Sequence, residues 1–223
     1  MTIKKVEVGH YSIPLPVVLS DSMHGDMSGF ELMTVRVSDV EGREGLGYTY
    51  TLGAGARAIH SVMEADMVPF LLGRDETRIE EIWQSLWWKL HYAGRGGLAI
   101  HALSAIDVAL WDLLGKRTDL PLWRLLGGSN PEVKAYAGGI DLMFTLDELL
   151  AQTEKNLSKG FRAIKMKVGR DNLYEDIERI GAMRSHLGVN FPLMVDANMR
   201  WTVDEAIRAA RAFRKFDLVW LEE

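Results

Sequence analysis

The chain has 223 residues, 48% of them hydrophobic and 26% charged, a formal net charge of -5 and no cysteine. That length holds one large domain or two small ones with an ordinary buried core. The acidic balance argues against a nucleic-acid or anionic-membrane partner, and the missing cysteines exclude disulfides, thiolate metal sites and a cysteine nucleophile. Residues 1–7 contain no apolar stretch that could serve as a signal peptide, and no uninterrupted apolar run approaches the ~20 residues of a membrane span, so a cytoplasmic location is expected.

In chain order, residues 2–13 alternate weakly and residues 31–37 clearly between apolar and polar. This predicts antiparallel strands, with a glycine-containing turn at 41–45 leading into a third strand at 46–51. The polar, glycine-containing segment at 20–29 predicts a mobile loop. Ile59, Val62, Met63, Met67 and Leu71 recur near the helical period, predicting a helix over about 56–72. Further helices are expected over about 76–90 and 99–116, the last apolar on most sides and therefore buried. Strands followed by helices predict an α+β unit over residues 1–125.

Beyond a glycine-rich linker at 127–131 the pattern becomes a regular alternation. Strands are expected over 132–138, 162–168, 191–197 and 218–222, with helices over 145–158, 173–187 and 202–216. Alternation at this period predicts a parallel sheet with right-handed crossovers. No Gly-x-Gly-x-x-Gly turn follows the first strand, which removes the main support for a dinucleotide fold. A (β/α) barrel, with about its first four strands in residues 126–223, is preferred because charged residues fall at successive strand ends.

Those charges carry the chemistry. Lys165 and Lys167 sit two apart and share one face of their strand. Burial and crowding of two ammonium groups lower a lysine's pKa, which is how lysine becomes a general base near neutral pH. A bare Lys-x-Lys also suits an edge strand with a solvated face. Asp196 and Glu222 end the next two strands and supply hard oxygen ligands suited to Mg²⁺. Taken singly, Asp196 could cap the following helix and Glu222 could form a rim ion pair. Asn198 is a candidate for binding substrate or a metal-bound water, or starts an Asx turn. His24 and Tyr50 are candidate substrate contacts from the first part of the chain, although a lone loop histidine can simply be solvated.

The motifs Ser104-Ala105-Ile106-Asp107-Val108-Ala109-Leu110-Trp111-Asp112, Ile164-Lys165-Met166-Lys167-Val168-Gly169, Val195-Asp196-Ala197-Asn198 and Trp220-Leu221-Glu222-Glu223 resemble those of the enolase superfamily, in its mandelate racemase and muconate-lactonizing branches. The resemblance covers essentially the whole chain. It implies an α+β capping domain and a modified barrel, with Mg²⁺ binding a substrate carboxylate and an enediolate formed by loss of the α proton. It also implies Lys167 as the base, Lys165 as its electrostatic partner, Asp196 and Glu222 as metal ligands and Asn198 as a neighbour of substrate. The third metal carboxylate and the opposing acid or base would lie beyond Glu223. Within the family the chain is most similar to acid-sugar dehydratases; a racemase, epimerase or cycloisomerase is the alternative, and a binding protein that keeps the fold without the chemistry is the non-enzyme alternative. A small carboxylate substrate and a homo-oligomer are expected.

Overall fold

The computed structural model describes residues 2–223 and divides into two compact units. One contains the residues up to Leu15 together with Gly29–Glu132, and the other Pro16–Ser28 together with Val133–Glu223.

An antiparallel sheet, ordered β1 (Ile3–Asp21), β2 (Gly25–Asp39) and β3 (Glu44–Thr51), underlies the first unit through Leu15 and from Gly29 onward, while the β1–β2 hairpin end, Pro16–Ser28, belongs to the second unit. Strands β2 and β3 pair from Glu31 with Thr51 to Ser38 with Glu44. The turn between them is tied by the Asp39 carboxylate, which accepts the amides of Glu41 and Arg43 at 2.9 Å each. Alternation along β2 buries Met33, Val35 and Val37. The predicted helix at 56–72 is continuous through α1 (Ala56–Val62), a π turn (Met63–Met67) and α2 (Val68–Leu71). It is followed by α3 (Ile79–Lys89), α4 (Leu98–Thr118) and the short α5 (Leu122–Leu125). By length and composition α4 is apolar enough to cross a membrane. Here Leu103, Ile106, Leu110 and Leu113 are buried in the core of the unit, while Asp107 and Asp112 interrupt the apolar run.

Strand β3 lies so close to α4 that glycine is required at their contact. A Cβ at Gly47 would be driven into the carbonyl of Ala105, and one at Gly45 into that of Ala109. Neither backbone carbonyl can yield without moving a buried helix. The Gly47→Ala variant is therefore expected to lose about 3 kcal/mol or more by overpacking, read as a fall in denaturation midpoint.

The second unit carries four parallel strands in the order β4 (Ala137–Gly138), β5 (Ile164–Lys167), β6 (Leu193–Asp196) and β7 (Leu221–Glu222). Helices α6 (Leu146–Ser158), α7 (Leu173–Leu187) and α8 (Val203–Phe213) connect them. Capping boxes set two helix starts, Thr145 with Glu148 at α6 and Thr202 with Glu205 at α8. Ile164, Met166 and Val168 from β5 join Leu193 and Val195 from β6 in a core with Ile180, Met183 and Phe213 from the helices. That packing leaves Lys165 and Lys167 together on the opposite face. The antiparallel sheet followed by a parallel α/β sheet is the predicted architecture.

Three expectations are corrected. Residues 20–29 are not a loop: β1 runs to Asp21, β2 resumes at Gly25, and only residues 22–24 turn. The Asp21 carboxylate organises this turn, accepting the amides of Met23 at 2.9 Å and His24 at 2.7 Å. Its ends are fixed as well, because Ser20 bridges to Asp141 and the Ser22 hydroxyl donates to the Ala197 carbonyl at 2.5 Å. The expected strands at 132–138 and 218–222 shrink to two residues each. Val133 is 87% exposed, so nothing there buries an alternating face.

Candidate active site

The parallel register creates the site. Lys167 lies opposite Asp196, and Asp196 opposite Glu222, so three successive strand ends present charged groups side by side. Lys167 Nζ donates to Asp196 Oδ2 at 2.7 Å, and Lys165 Nζ donates to Glu222 Oε2 at 2.8 Å while standing 3.3 Å from Asp196 Oδ2. Asp196 and Lys167 are buried. Aromatic groups border Lys165: its Nζ is 5.5 Å from the centroid of the Tyr136 ring, and Tyr136 meets Trp220 edge to face at 5.5 Å. The Trp220 indole also donates to Glu222 Oε2 at 3.3 Å.

Burial opposes the charge on Asp196, but hydrogen bonds from Lys167 and the Asn198 amide outweigh it and hold the carboxyl below its ordinary value. For Lys165 the neighbouring carboxylates decide the balance. Burial pushes its ammonium down, yet the hydrogen bonds to Glu222 and Asp196 more than offset this and hold its pKa above that of an ordinary lysine. Two carboxylates at hydrogen-bond distance dominate over burial.

Asn198 follows β6 in left-handed backbone, φ 48°, and its amide donates to Asp196 Oδ1 at 2.9 Å. Its side-chain Oδ1 is buried without a hydrogen-bond partner. A buried acceptor costs free energy unless something donates to it, so this oxygen is suited to a ligand hydroxyl. His24 belongs to the same unit and pairs through Nδ1 with Asp21 Oδ2 at 2.8 Å. Its side chain stays exposed to solvent in this pairing, and among the described residues no hydrogen bond or ion pair joins it to the lysines. Tyr50 belongs to the other unit, exposed on β3 and packed edge to face on Phe30.

Asp196 and Glu222 could supply part of an oxygen donor set for a hard divalent cation in place of their lysine partners. Among the described residues no group of three or more His, Cys, Asp or Glu side chains is gathered for a metal. Two carboxylates that share a register position fit such an ion as part of a larger ligand set.

Sequence reasoning missed a buried polar network behind the lysine strand. The Asp141 carboxylate accepts the amide of Lys167 at 2.9 Å, and Asp176 Oδ2 accepts the amides of Gly169 at 2.9 Å and Arg170 at 3.2 Å. Arg179 joins them, donating to the carbonyls of Asp141 at 2.8 Å and Phe144 at 2.5 Å. One signal existed: Asp176 and Arg179 fall at helical spacing with Ile180 and Met183, which puts two charges on the buried stripe of α7. Nothing local marked Asp141.

Burial pushes the Asp176 carboxyl up to about 6, despite the opposing amides of Gly169 and Arg170 and the nearby guanidinium groups. The folded chain then keeps a proton that the unfolded chain releases between about pH 4 and 6, so this group's contribution to stability falls as pH rises through that window. The neutral Asp176→Asn variant lacks this dependence. Its stability relative to wild type should rise by on the order of 2 kcal/mol from pH 4 to pH 7, measured by denaturant unfolding at each pH. A constant difference would sink the assignment.

Comparison with known proteins agrees with this geometry. Residues 3–127 match the model of the mandelate racemase / muconate lactonizing enzyme N-terminal domain, and residues 148–223 that of the enolase C-terminal domain-like family. The chain is 58% identical, over 99% of its length, to 3,6-anhydro-alpha-L-galactonate cycloisomerase of Streptomyces coelicolor, and 38% identical, over 95%, to L-talarate/galactarate dehydratase of Salmonella typhimurium. It spans 61% of the first relative and 54% of the second. Among solved structures, a racemase from Streptomyces coelicolor A3(2) with bound magnesium superposes with TM-score 0.96 at 57% identity, covering 98% of this chain and 61% of that one. The Salmonella dehydratase liganded with Mg and L-lyxarohydroxamate gives 0.94 at 35% identity, covering 99% and 57%. With both of its units matched and its charged strand ends arranged as described, the chain belongs to the mandelate racemase and muconate lactonizing enzyme family of the enolase superfamily.

Proposed function

We propose that the full-length protein removes the proton α to the carboxylate of a sugar acid and expels the oxygen on the β carbon, with Mg²⁺ as its cofactor. The observation that carries this is the contact of Lys165 and Lys167 with Asp196 and Glu222 across three adjacent strand ends. Asp196 and Glu222 are the residues that would hold Mg²⁺, which when bound supplies positive charge against the substrate carboxylate. Lys167, buried and fixed on a strand, takes the α proton. Lys165, on the same face, presents a second ammonium to the charge that develops as the proton leaves. Asn198 offers its free carbonyl oxygen to a substrate hydroxyl.

The identity of the β oxygen decides the reaction class. In a 3,6-anhydro sugar acid that oxygen belongs to a ring ether, so elimination opens the ring and loses no atoms, which is an isomerisation. In an open-chain aldonate or aldarate the same elimination releases water. We favour the anhydro sugar acid, because the relative at 58% identity carries that substrate in its name. Dehydration, the sequence-based reading, is the second reading, supported by the relatives at 38% and 34% identity, which are named as dehydratases.

The test incubates the full-length protein and Mg²⁺ with 3,6-anhydro-L-galactonate, galactarate, talarate and arabinonate. A 2-keto-3-deoxy product of unchanged mass from the anhydro acid is the expected result. A product lighter by one water from the open-chain acids alone would transfer the assignment to dehydration. No turnover, together with no exchange of the α proton for solvent deuterium, would overturn both.

A further inference from the structure

We propose that Asp141 is a positioning residue for Lys167, holding the end of β5 that bears the base in place beside Asp196; this rests on the reading of Lys167 as the proton acceptor. The residues of an inner strand are held by hydrogen bonds to both neighbours. On the β6 side β5 has them: Lys167 is in register with Asp196, and the Val168 amide donates to the Asp196 carbonyl at 3.0 Å. On the β4 side the ladder stops early. Only Ala137 with Ile164 and Gly138 with Lys165 are paired, and the Gly139 amide reaches the Lys165 carbonyl at 3.3 Å. The Lys167 amide falls beyond that end and donates to Asp141 Oδ1 at 2.9 Å. A side chain thus replaces the missing strand at the residue that carries the base.

The carboxylate is itself held from two helices. Asp141 is 1% exposed, its Oδ2 accepts from Gln152 of α6 at 2.7 Å, and Arg179 of α7 places Nη2 3.8 Å from Oδ1. Gly139 leaves room for this arrangement, since a Cβ there would collide with both the Asp141 carboxylate and the Gln152 amide. Buried charge clusters are weak contributors to stability when compared with apolar packing. Fixing one amide in one place is a use that apolar packing does not serve.

Asp141→Ala, Asp141→Asn and Gly139→Ala are made in the full-length protein; the last turns the carboxylate aside without removing it. One readout is kcat and KM for α-proton exchange with Mg²⁺, per folded molecule. The other needs no substrate: trace acetylation with acetic anhydride, with Lys167 quantified by peptide mass spectrometry against the exposed Lys155. Asp141→Ala should lower kcat by about 100-fold, the scale of a 1 Å misplacement, leave KM near wild type and raise acetylation of Lys167. Asp141→Asn keeps an oxygen acceptor for the Lys167 amide and should restore most of kcat. Wild-type kcat and wild-type Lys167 acetylation in both Asp141→Ala and Gly139→Ala overturn the proposal, as does a kcat loss that only follows loss of folded protein. Should Asp141→Ala fail to fold, Gly139→Ala decides alone. Should the wild type exchange no α proton from any sugar acid, the reading of Lys167 as base fails separately, and the acetylation pattern still decides whether Asp141 fixes the lysine.

Discussion

Lys167→Ala in the full-length protein is expected to slow exchange of the substrate α proton by about 10²–10⁴-fold, the contribution of a positioned general base. The geometry makes the loss specific. Lys167 is buried on the strand face opposite the apolar core, and its Nζ meets Asp196 at 2.7 Å. Lys165 already stands 3.3 Å from the same oxygen, so Asp196 keeps a cationic partner when Lys167 is truncated. The variant should therefore stay folded while losing the chemistry, a combination checked by circular dichroism beside deuterium exchange followed by NMR. Lys167→Arg should not restore the rate, because a guanidinium does not give up its proton at any working pH. Exchange at the wild-type rate in Lys167→Ala would remove the lysine from the mechanism.

The sequence made this site legible for a physical reason. Side chains of a strand alternate with a period of two, so Lys165 and Lys167 had to share a face once Ile164, Met166 and Val168 were assigned to the core. Strand ends in a parallel sheet gather on one rim, which brought Asp196 and Glu222 to the lysines. Residues whose roles depend on contacts distant in sequence stayed hidden. Asp141 acts 26 positions away from the lysine it touches, and Ser22 reaches Ala197 across 175. The segment at 20–29 read as a loop because its composition is polar and carries glycine, yet strands β1 and β2 continue into it. Asp21 closes the turn with two backbone amides, and contacts to Asp141 and Ala197 hold it. Local composition reports flexibility, whereas here the constraint comes from residues far along the chain. A Lys-x-Lys pair alone suggests repulsion, but the compensating anions Asp196 and Glu222 are legible at the ends of the next two strands, and their hydrogen bonds hold the pKa of the Lys165 ammonium above its ordinary value.

Asp196→Ala should be the most damaging single change in the second unit, because one carboxylate serves three groups. Its Oδ2 takes both lysines, and its Oδ1 accepts the Asn198 amide that follows β6. Removing it leaves Lys167 buried without its counter-ion and Lys165 with Glu222 alone. Breaking a buried ion pair from one side costs about 3–5 kcal/mol, so the midpoint of chemical denaturation should fall accordingly. Asp196→Asn should lose less stability, since the amide oxygen still accepts from Asn198 or from one lysine. Both variants should lose the response to Mg²⁺. A cation that binds the folded protein alone raises its stability by RT ln(1 + [L]/Kd), about 2.7 kcal/mol at a concentration 100 times Kd. The full-length wild type should therefore melt higher as MgCl₂ is added at constant ionic strength, while Asp196→Asn and Asp196→Ala should not. The two effects separate the roles of the residue: Asp196→Asn retains most of the fold and none of the magnesium response. Equal stabilisation by MgCl₂ in wild type and Asp196→Asn would place the ion elsewhere, and would leave Asp196 as an anchor for the lysines only.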